Sequence, residues 1–395
     1  MSGTLLHRAV IGFARLIYDP YLRRKYKYDF EKVDYSKGNF IALANHTTNL
    51  DSMILGISFK QHMYFVAGEQ LFRMGFVSTL LRVFLNPIKR MKAKTEAKTA
   101  VNMLKALKAG HNICMFPEGS CTWNGETSNI IQSTAKLIKR AKVALITYRV
   151  EGGYPTMPRW GRTIRVGKMT GRKANIYEPE QLEQMSIEQI YSAIREDLYV
   201  NYKNMSDKYE YIGKAPAEYL ETALFICPKC KGISTYTSKD DMFSCTCGVR
   251  LKYDSHCNLV DIDNNDFPFT TVLEWDNWQR QWIIDNLPSL KQDNDKIITS
   301  DEEQDLFTYT ESGTTSHILS GSMALYPDRL IFKDKKTKNE LVIKLEDITD
   351  IAIITRTTLT FSCSDMHYEI KCKTPRSALK YLLFCINLSP MRYIV

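Results

Sequence analysis

His46 and Asp51 stand five positions apart in "ALANHTTNLDS", a polar break between the apolar runs "NFIAL" and "MILGISF". A neutral imidazole can take a proton from a hydroxyl, and a carboxylate on its other nitrogen fixes the tautomer and stabilises the imidazolium that forms. Each helical residue advances about 100°, so two residues five apart in one helix diverge by roughly 140°. The pair therefore meets only across a bend. A strand ending near Asn45 and a helix beginning near Asn49 or Asp51 supply one, with Thr47, Thr48 and Asn49 as N-cap candidates. A second polar cluster, "FPEGSCTWNGET", follows the short run "NICM". There Pro117 fixes one φ and Gly119 permits an unusual one, which presents Glu118 and neighbouring backbone N–H groups at a strand end. A dense cationic turn, "NPIKRMKAK", adds Lys89 and Arg90. Three polar clusters at three strand ends predict one crevice along the carboxyl edge of an open α/β sheet.

Four cysteines point to different chemistry. Cys227 and Cys230 form a C-x-x-C pair, Cys245 and Cys247 a C-x-C pair, and 14 residues lie between the pairs. Two thiolate pairs on tight turns, separated by enough chain for a hairpin, suit a tetrahedral zinc site. A closed set of four sulfurs leaves no open coordination position, so the zinc expected here is structural and contributes to folding a small ribbon. His256 and Cys257 are either substitute ligands or a polar turn.

These groups must be positioned by the elements between them. Over residues 39–201 the short runs "NFIALA", "HMYFVA", "NICMFP", "VALITYRV" and "TIRVGK" read as strands, alternating with helical segments such as "TEAKTAVNMLKALKAG" and "NIIQSTAKLIKRA". The segment "EPEQLEQMSIEQIYSAIREDLYV" reads as one or two helices with Ser186 and Glu188 near a start. The fold class is α/β: a mainly parallel sheet flanked by helices, then a small four-cysteine zinc ribbon, then a β-rich module with a C-terminal helix. The expected division is 1–222 for the α/β domain with an N-terminal amphipathic helix, 223–257 for the ribbon, 258–300 for a Trp-rich helix and linker, and 301–395 for the β-rich module. Trp275, Trp278 and Trp282 share one helical face, as core or as a membrane-interface stripe, and "DNDKIITSDEEQD" reads as linker. In layout the last module resembles a pleckstrin-homology-like or GRAM-like domain.

The net charge of +9 is unevenly spread: residues 1–150 carry 23 Lys and Arg against 9 Asp and Glu, whereas residues 223–395 carry 20 against 24. A basic first half suits phosphate-rich partners. The acidic second half, with no Lys/Arg stripe interleaved with aromatics around the cysteines, argues against nucleic acid. The most apolar stretch, "MYFVAGEQLFRMGFVSTLLRVFL", carries Glu69, Arg73 and Arg82, so no spanning helix is expected. Near the N-terminus Leu6, Val10, Phe13 and Ile17 recur with helical spacing, followed by Arg23, Arg24, Lys25 and Lys27. That pattern fits an interfacial helix on anionic lipid, or a helix packed on its own domain. Its interruption by His7, Arg8 and Arg15, without a small-residue cleavage site, argues against a secretory signal. Ten cysteines then imply a reducing compartment, and the expected location is cytoplasmic, peripheral on the inner face of the membrane.

"NHTTNLD" and "FPEGS", in that order, resemble the N-H-x-[ST]-x-x-D and F-P-E-G blocks of the glycerolipid acyltransferases, the lysophosphatidate acyltransferase family. Residues 86–90 resemble that family's second block and "KVALITYRVEGGYPTMPRWG" its fourth, for a total span of about residues 35–215. An acyltransferase followed by a four-cysteine ribbon is also similar to an arrangement in bacterial members. The resemblance implies transfer of a fatty acyl group from acyl-CoA or acyl carrier protein to a lysophospholipid, with 1-acylglycerol-3-phosphate the expected acceptor and phosphatidic acid the product. It implies His46 as base and Asp51 as its orienter, with the acceptor hydroxyl itself attacking the thioester and no metal in catalysis. Arg90, aided by Lys89, would pair with phosphate. Glu118 would hold the acceptor's glycerol part, Gly119 and Ser120 belong to the same substrate site, and backbone N–H groups would stabilise the oxyanion. Residues 63–85 are either an acyl-chain groove or a core helix. Two departures stand out: Cys121 occupies the place of a usual Arg, and Thr147 that of a usual Pro. Losing that cation leaves the acceptor headgroup open, and the Cys121 thiol is either passive or a nucleophile. The alternatives to an enzyme are a non-catalytic lipid-binding protein and a nucleic-acid-binding zinc-ribbon protein.

Overall fold

The computed structural model describes residues 2–68, 87–90, 96–264, 266–309, 315–364, 366–372 and 374–389, with side chains from residue 12 onward except at 89, 90, 96 and 97. The chain divides into two compact units, one of Met1–Arg159 with Ile164–Gly213 and one of Trp160–Thr163 with Lys214–Ile394.

In the first unit the elements run α1 (Ser2–Tyr26), β1 (Tyr28–Phe30), β2 (Phe40–Ala44), α2 (Asp51–Ser58), β3 (Met63–Gly68), β4 (Ile88–Arg90), α3 (Glu96–Lys108), β5 (Asn112–Met115), α4 (Ser133–Ala141), β6 (Ala144–Glu151), β7 (Met169–Tyr177), α5 (Pro179–Gln184) and α6 (Ile187–Leu198). Their sheet has the order β1-β7-β6-β2-β5-β3-β4, and every neighbouring pair is parallel except β6 with β7. All five residues of β2 are buried, as an unbroken apolar run requires of a central strand covered on both faces. Alternation along it divides the core in two. Phe40, Ala42 and Ala44 pack with Leu22, Ile54, Leu55 and Phe59 of α1, α2 and their flank. Ile41 and Leu43 point the other way, to Met103, Leu107, Ile138 and Ile194 of α3, α4 and α6. Because β2 and β5 are parallel and Leu43 pairs with Met115, the loops leaving both strands emerge at one sheet edge.

The helix α1 docks through an arginine. Arg15 donates from Nε to the Gly56 carbonyl at 2.8 Å, from Nη1 to Lys60 at 2.8 Å and from Nη2 to Gln61 at 3.0 Å, capping the carbonyl end of α2. Leu22 and Tyr26 are buried, but Phe13, Leu16 and Ile17 are 67%, 76% and 53% exposed. The side chains of Leu6 and Val10 lie outside the described residues. Among the described residues no helix is long and apolar enough to cross a membrane.

The strand expected at "TIRVGK" lies one segment later, in β7. Val166 instead exchanges both backbone hydrogen bonds with Ile212, which withdraws it from the sheet. The segment expected as helices at 179–198 is two of them, the second opened by a capping box between Ser186 and Gln189.

The second unit begins with an antiparallel sheet of order β11-β10-β9-β8, built from β8 (Tyr236–Lys239), β9 (Met242–Cys245), β10 (Arg250–Tyr253) and β11 (Leu259–Asp261). Then α7 (Val272–Leu290) starts from a capping box of Thr271 and Glu274. Trp275 is fully buried against Tyr236, Phe243 and Phe267 and donates its ring N–H to the Ile226 carbonyl at 2.9 Å, while Trp278 and Trp282 are half-buried. The remaining strands are β12 (Thr299–Tyr309), β13 (Thr315–Leu325), β14 (Arg329–Asp334), β15 (Glu340–Lys344), β16 (Ile348–Ile353), β17 (Leu359–Cys363) and β18 (Met366–Cys372), followed by α8 (Ala378–Leu388). They form an antiparallel sheet of order β15-β14-β13-β12-β18-β17-β16.

The linker reading of "DNDKIITSDEEQD" is corrected by β12, which starts at Thr299. Its buried positions are Thr299, Gln304, Leu306 and Tyr309, and the acidic residues between them face outward around a bulge between Asp301 and Gln304. A strand with one solvated face and a break in its alternation looks like loop by composition.

Candidate active site

Asn45, the residue after β2, is fully buried. Its amide accepts from the Val150 N–H at 2.8 Å and donates to the Val150 carbonyl at 2.8 Å, tying the start of the loop to β6. The chain then bends, and Nδ1 of His46 lies 2.8 Å from Oδ2 of Asp51. The same oxygen accepts the backbone N–H groups of Thr47 at 2.6 Å and Thr48 at 3.0 Å, and Oδ1 accepts the Thr48 hydroxyl at 2.7 Å. Asp51 is 0% exposed and opens α2, where the helix dipole favours an anion. None of the three expected residues caps α2. Leu50 holds that position without a side-chain cap, because the Thr48 hydroxyl is turned onto Asp51 and the Leu50 N–H.

The His46 ring stacks on Phe116 with centroids 4.4 Å apart and an angle of 19°, and its side chain remains 21% exposed. Burial opposes the imidazolium, but the Cys121 sulfur and the Asp51 carboxylate outweigh it and raise the His46 pKa to about 10.

The glutamate turn comes from the end of β5. Pro117 takes its second position and Gly119 its fourth, with the Gly119 N–H donating to the Phe116 carbonyl at 3.1 Å and a Gly119 φ of 76°. Glu118 faces inward. Oε1 accepts the His46 N–H at 2.6 Å and Oε2 accepts the Ser128 N–H at 2.6 Å, while the Thr122 N–H donates to the His46 carbonyl at 3.0 Å. Glu118 thus ties the loop after β2 to both ends of its own loop, each of its oxygens already engaged once. Burial pushes its pKa up to about 7, against the pull of those two N–H groups.

One glycine of the turn after β6, Gly153, presses the His46 loop from behind. Gly152 has a φ of 77°, and a Cβ on Gly153 would lie 2.2 Å from the Thr47 hydroxyl oxygen. Only the absence of a side chain lets the turn after β6 come this close.

Ser120 accepts Nη1 of Arg159 at 2.9 Å, and the same nitrogen reaches the Cys121 carbonyl at 3.3 Å, with the guanidinium 4.6 Å over the Trp123 ring. Sequence reasoning passed over Arg159, although "TMPRWG" contains it; a cation here stands beside the position where the resemblance expects one. Cys121 is buried with Sγ 3.5 Å from Nδ1 and 3.6 Å from Nε2 of His46. Lys89 and Arg90 lie on β4 opposite Ala67 and Gly68, with their side chains outside the described residues. Of 63–85, the part through Gly68 is strand and the rest lies outside the described residues, as does Asn86.

In the second unit the ligand atoms of Cys227, Cys230, Cys245 and Cys247 all lie within 4.8 Å of one another. Cys227 and Cys247 are 3.8 Å apart at sulfur, as are Cys230 and Cys245. Polar groups aim at three of the sulfurs: the Tyr236 hydroxyl at Cys227 (3.3 Å), the Gly232 N–H at Cys230 (3.4 Å) and the Thr235 hydroxyl at Cys245 (3.1 Å). Such outer contacts orient thiolates for a metal. Four convergent sulfurs fit a tetrahedral ion. His256 and Cys257 stand outside the cluster, in a polar turn where Asp254 accepts the His256 N–H at 2.9 Å.

The first unit is thus an α/β domain with an imidazole–carboxylate pair at the carboxyl ends of its parallel strands. Residues 25–151 match the acyltransferase family. Over 114 residues the chain is 26% identical to the 1-acyl-sn-glycerol-3-phosphate acyltransferase of Borreliella burgdorferi, an alignment covering 28% of this chain and 44% of that protein. The chain thus spans less than half the length of the curated relative it matches. These matches and both motif blocks make the first unit similar to the glycerolipid acyltransferases. Among solved structures, the 1-acyl-sn-glycerophosphate acyltransferase PlsC of Thermotoga maritima aligns with a TM-score of 0.40 at 19% identity, over 49% of this chain and 77% of that one. The crystal structure of Dcp1p aligns with a TM-score of 0.22 at 10% identity, over 27% of this chain and 96% of that one.

Proposed function

We propose that the chain transfers an acyl group from acyl-CoA or acyl carrier protein to the free hydroxyl of a lysophospholipid, with 1-acylglycerol-3-phosphate as acceptor and phosphatidic acid as product. The observation that carries this reading is the His46–Asp51 pair, a ring held by a fully buried carboxylate yet still open to a reactant. Asp51 holds Nδ1, so Nε2 is the atom that receives the acceptor's proton and later returns it to the leaving thiol. Glu118 fixes the His46 backbone, and each of its oxygens keeps a lone pair for the acceptor's glycerol part. Lys89 and Arg90 pair with phosphate, and Arg159, held at Ser120, supplies the cation that Cys121 displaces.

Exposed Phe13, Leu16 and Ile17 with Arg23, Arg24, Lys25 and Lys27 close behind support seating of α1 on an anionic membrane surface, which brings the site to its lipid acceptor on the inner, cytoplasmic face. The cysteine cluster holds a structural zinc, and the β-rich module is pleckstrin-homology-like. Nucleic acid has no part.

The test is thioester consumption with vesicles carrying 1-acylglycerol-3-phosphate, read by product mass. His46→Ala should lower turnover by ~10² to 10⁴-fold, the range of lost acid–base catalysis. Wild-type turnover in that variant would overturn the assignment.

A further inference from the structure

Burial alternates along both strands of the short ribbon in which Val166 pairs with Ile212. Arg165 and Tyr211 are 1% exposed and face inward, so Ile164, Val166 and Ile212 share the outer face, where they are 37%, 38% and 64% exposed. A solvated strand face ordinarily carries polar residues, and three branched aliphatics reverse that pattern. The inner face is fixed beside the candidate site. The Tyr211 hydroxyl donates to the Lys168 carbonyl at 2.7 Å, and a Cβ on Gly152 would lie 2.2 Å from that carbonyl oxygen. Gly152 follows β6, and its neighbour Gly153 is the residue that presses on Thr47. Because β7 runs antiparallel to β6, with Thr170 opposite Glu151, the ribbon leading into β7 projects past the carboxyl end of β6. That is the edge from which the His46 loop and the glutamate turn emerge. β1 is parallel to β7, with Tyr28 opposite Met169, so α1 also ends here and adds the exposed Arg24, Lys25 and Lys27. Asp29 is held by Arg172 at 2.6 Å and by Lys168 at 3.5 Å, and the single charge of Glu210 does not offset those three cations. Phe13, Leu16 and Ile17, by contrast, flank Arg15, which caps the end of α2 remote from Asp51.

We propose that Ile164, Val166 and Ile212 dip into an anionic membrane surface, a contact at the site's own edge in addition to that of α1. The proposal rests on the acyl-transfer reading above for its substrate: a lysophospholipid resident in the bilayer then reaches His46 without crossing open water. An apolar tip beside lysine and arginine is the chemistry of an interfacial anchor, with aliphatic groups among the headgroups and the cations on lipid phosphate. The two strands suit this task because their inner face is held by Tyr211 and Gly152, so the outer face is presented already formed. An acidic acyl carrier protein would engage the same cations, and the experiment separates the two.

The experiment sediments the full-length protein with phosphatidylcholine vesicles, with and without phosphatidylglycerol. The wild type should bind the anionic vesicles, and hydrogen exchange at residues 164–168 and 210–212 should slow when it does. Ile212→Asp, and Val166→Thr combined with Ile212→Thr, should weaken that binding by ~10-fold or more, the effect of withholding aliphatic side chains from lipid. Ile212→Trp should tighten it. Turnover should follow vesicle binding when 1-acylglycerol-3-phosphate is presented in vesicles, and should be unchanged with a short-chain acceptor dissolved as monomer. A wild type that ignores anionic vesicles, or unaltered vesicle affinity in both Ile212→Asp and Ile212→Trp, would overturn the proposal. So would a loss confined to transfer from acyl carrier protein, which would assign the face to that protein. Acyl transfer itself stands in each of these cases. Ribbon-dependent vesicle binding by a wild type that acylates no lysophospholipid would instead remove the acyl-transfer reading and leave the membrane contact in place.

Discussion

The His46 site and the four-cysteine cluster both place reactive side chains on turns, but they draw on the chain differently. Cys121 and His46 are 75 positions apart and meet because two parallel strands end at one edge. Cys227 and Cys247 are 20 apart and meet between two turns, one before a short antiparallel sheet and one inside it. The first site leaves an imidazole partly open; the second closes four sulfurs on one another. A site gathered from distant loops depends on everything that holds those loops, whereas a locally gathered one depends mainly on its own ligands. Substitutions well away from the chemistry should therefore damage the first and not the second.

The largest effect belongs to the closed site. Structural zinc contributes ~10–16 kcal/mol of apparent binding energy in small metal domains. Cys227→Ser should take bound zinc, measured by elemental analysis, from one ion per chain to nearly none, and should abolish the cooperative unfolding of residues 223–257 seen by hydrogen exchange. Retained zinc would break the contrast by showing a set that tolerates loss of a ligand.

Next comes Asp51→Asn, which keeps the shape and removes the charge. Turnover should fall on the order of 10³ to 10⁴-fold, as when an orienting carboxylate is lost from such a pair. The pH dependence sharpens the point. Cys121 and Asp51 raise the His46 pKa from 6.5 to about 10 against burial, so the neutral base grows in population across that interval and kcat/KM should climb with it. Stability runs the other way. The imidazolium's favourable contact is fully present below pH 6.5 and is lost as pH rises towards 10. Asp51→Asn should bring the acidic limb of kcat/KM down, and urea midpoints of the wild type should decline between pH 7 and 10.

A smaller loss is expected from Gly153→Ala, which touches no reactant. Its Cβ would meet the Thr47 hydroxyl at 2.2 Å, and Thr47 donates its N–H to Asp51. A displacement near 1 Å costs up to ~10²-fold, so kcat should drop by roughly 10 to 100-fold with zinc content unchanged. Smallest is Arg15→Ala. It removes three hydrogen bonds at the end of α2 remote from Asp51 and should cost about 1–3 kcal/mol in a denaturant melt with little change in kcat.

Much of this was legible in the sequence. The apolar run of β2, the helix start at Ser186 and the cysteine spacing are local features, and local features survive translation into structure. Two expectations failed for the opposite reason. β12 was hidden because its solvated face is acidic and its register shifts, and "TIRVGK" left the sheet because Val166 found Ile212 instead. In the candidate site, His46, Asp51 and Glu118 could be picked out by type and motif. That both Glu118 oxygens would grip backbone N–H groups, that Cys121 would lie against the ring, and that Arg159 would reach Ser120 could not, because each is a contact between loops far apart in the chain.

By itself, then, the order of residues determined which groups could do chemistry, and it determined the four-cysteine cluster almost completely, since two tight turns joined by a hairpin leave their cysteines few other places to go. Only the tertiary structure decided which of the acid–base candidates meet. Groups 72 and 75 positions apart are brought within reach by the common edge of parallel strands, and that edge exists only once the helices have covered both faces of the sheet.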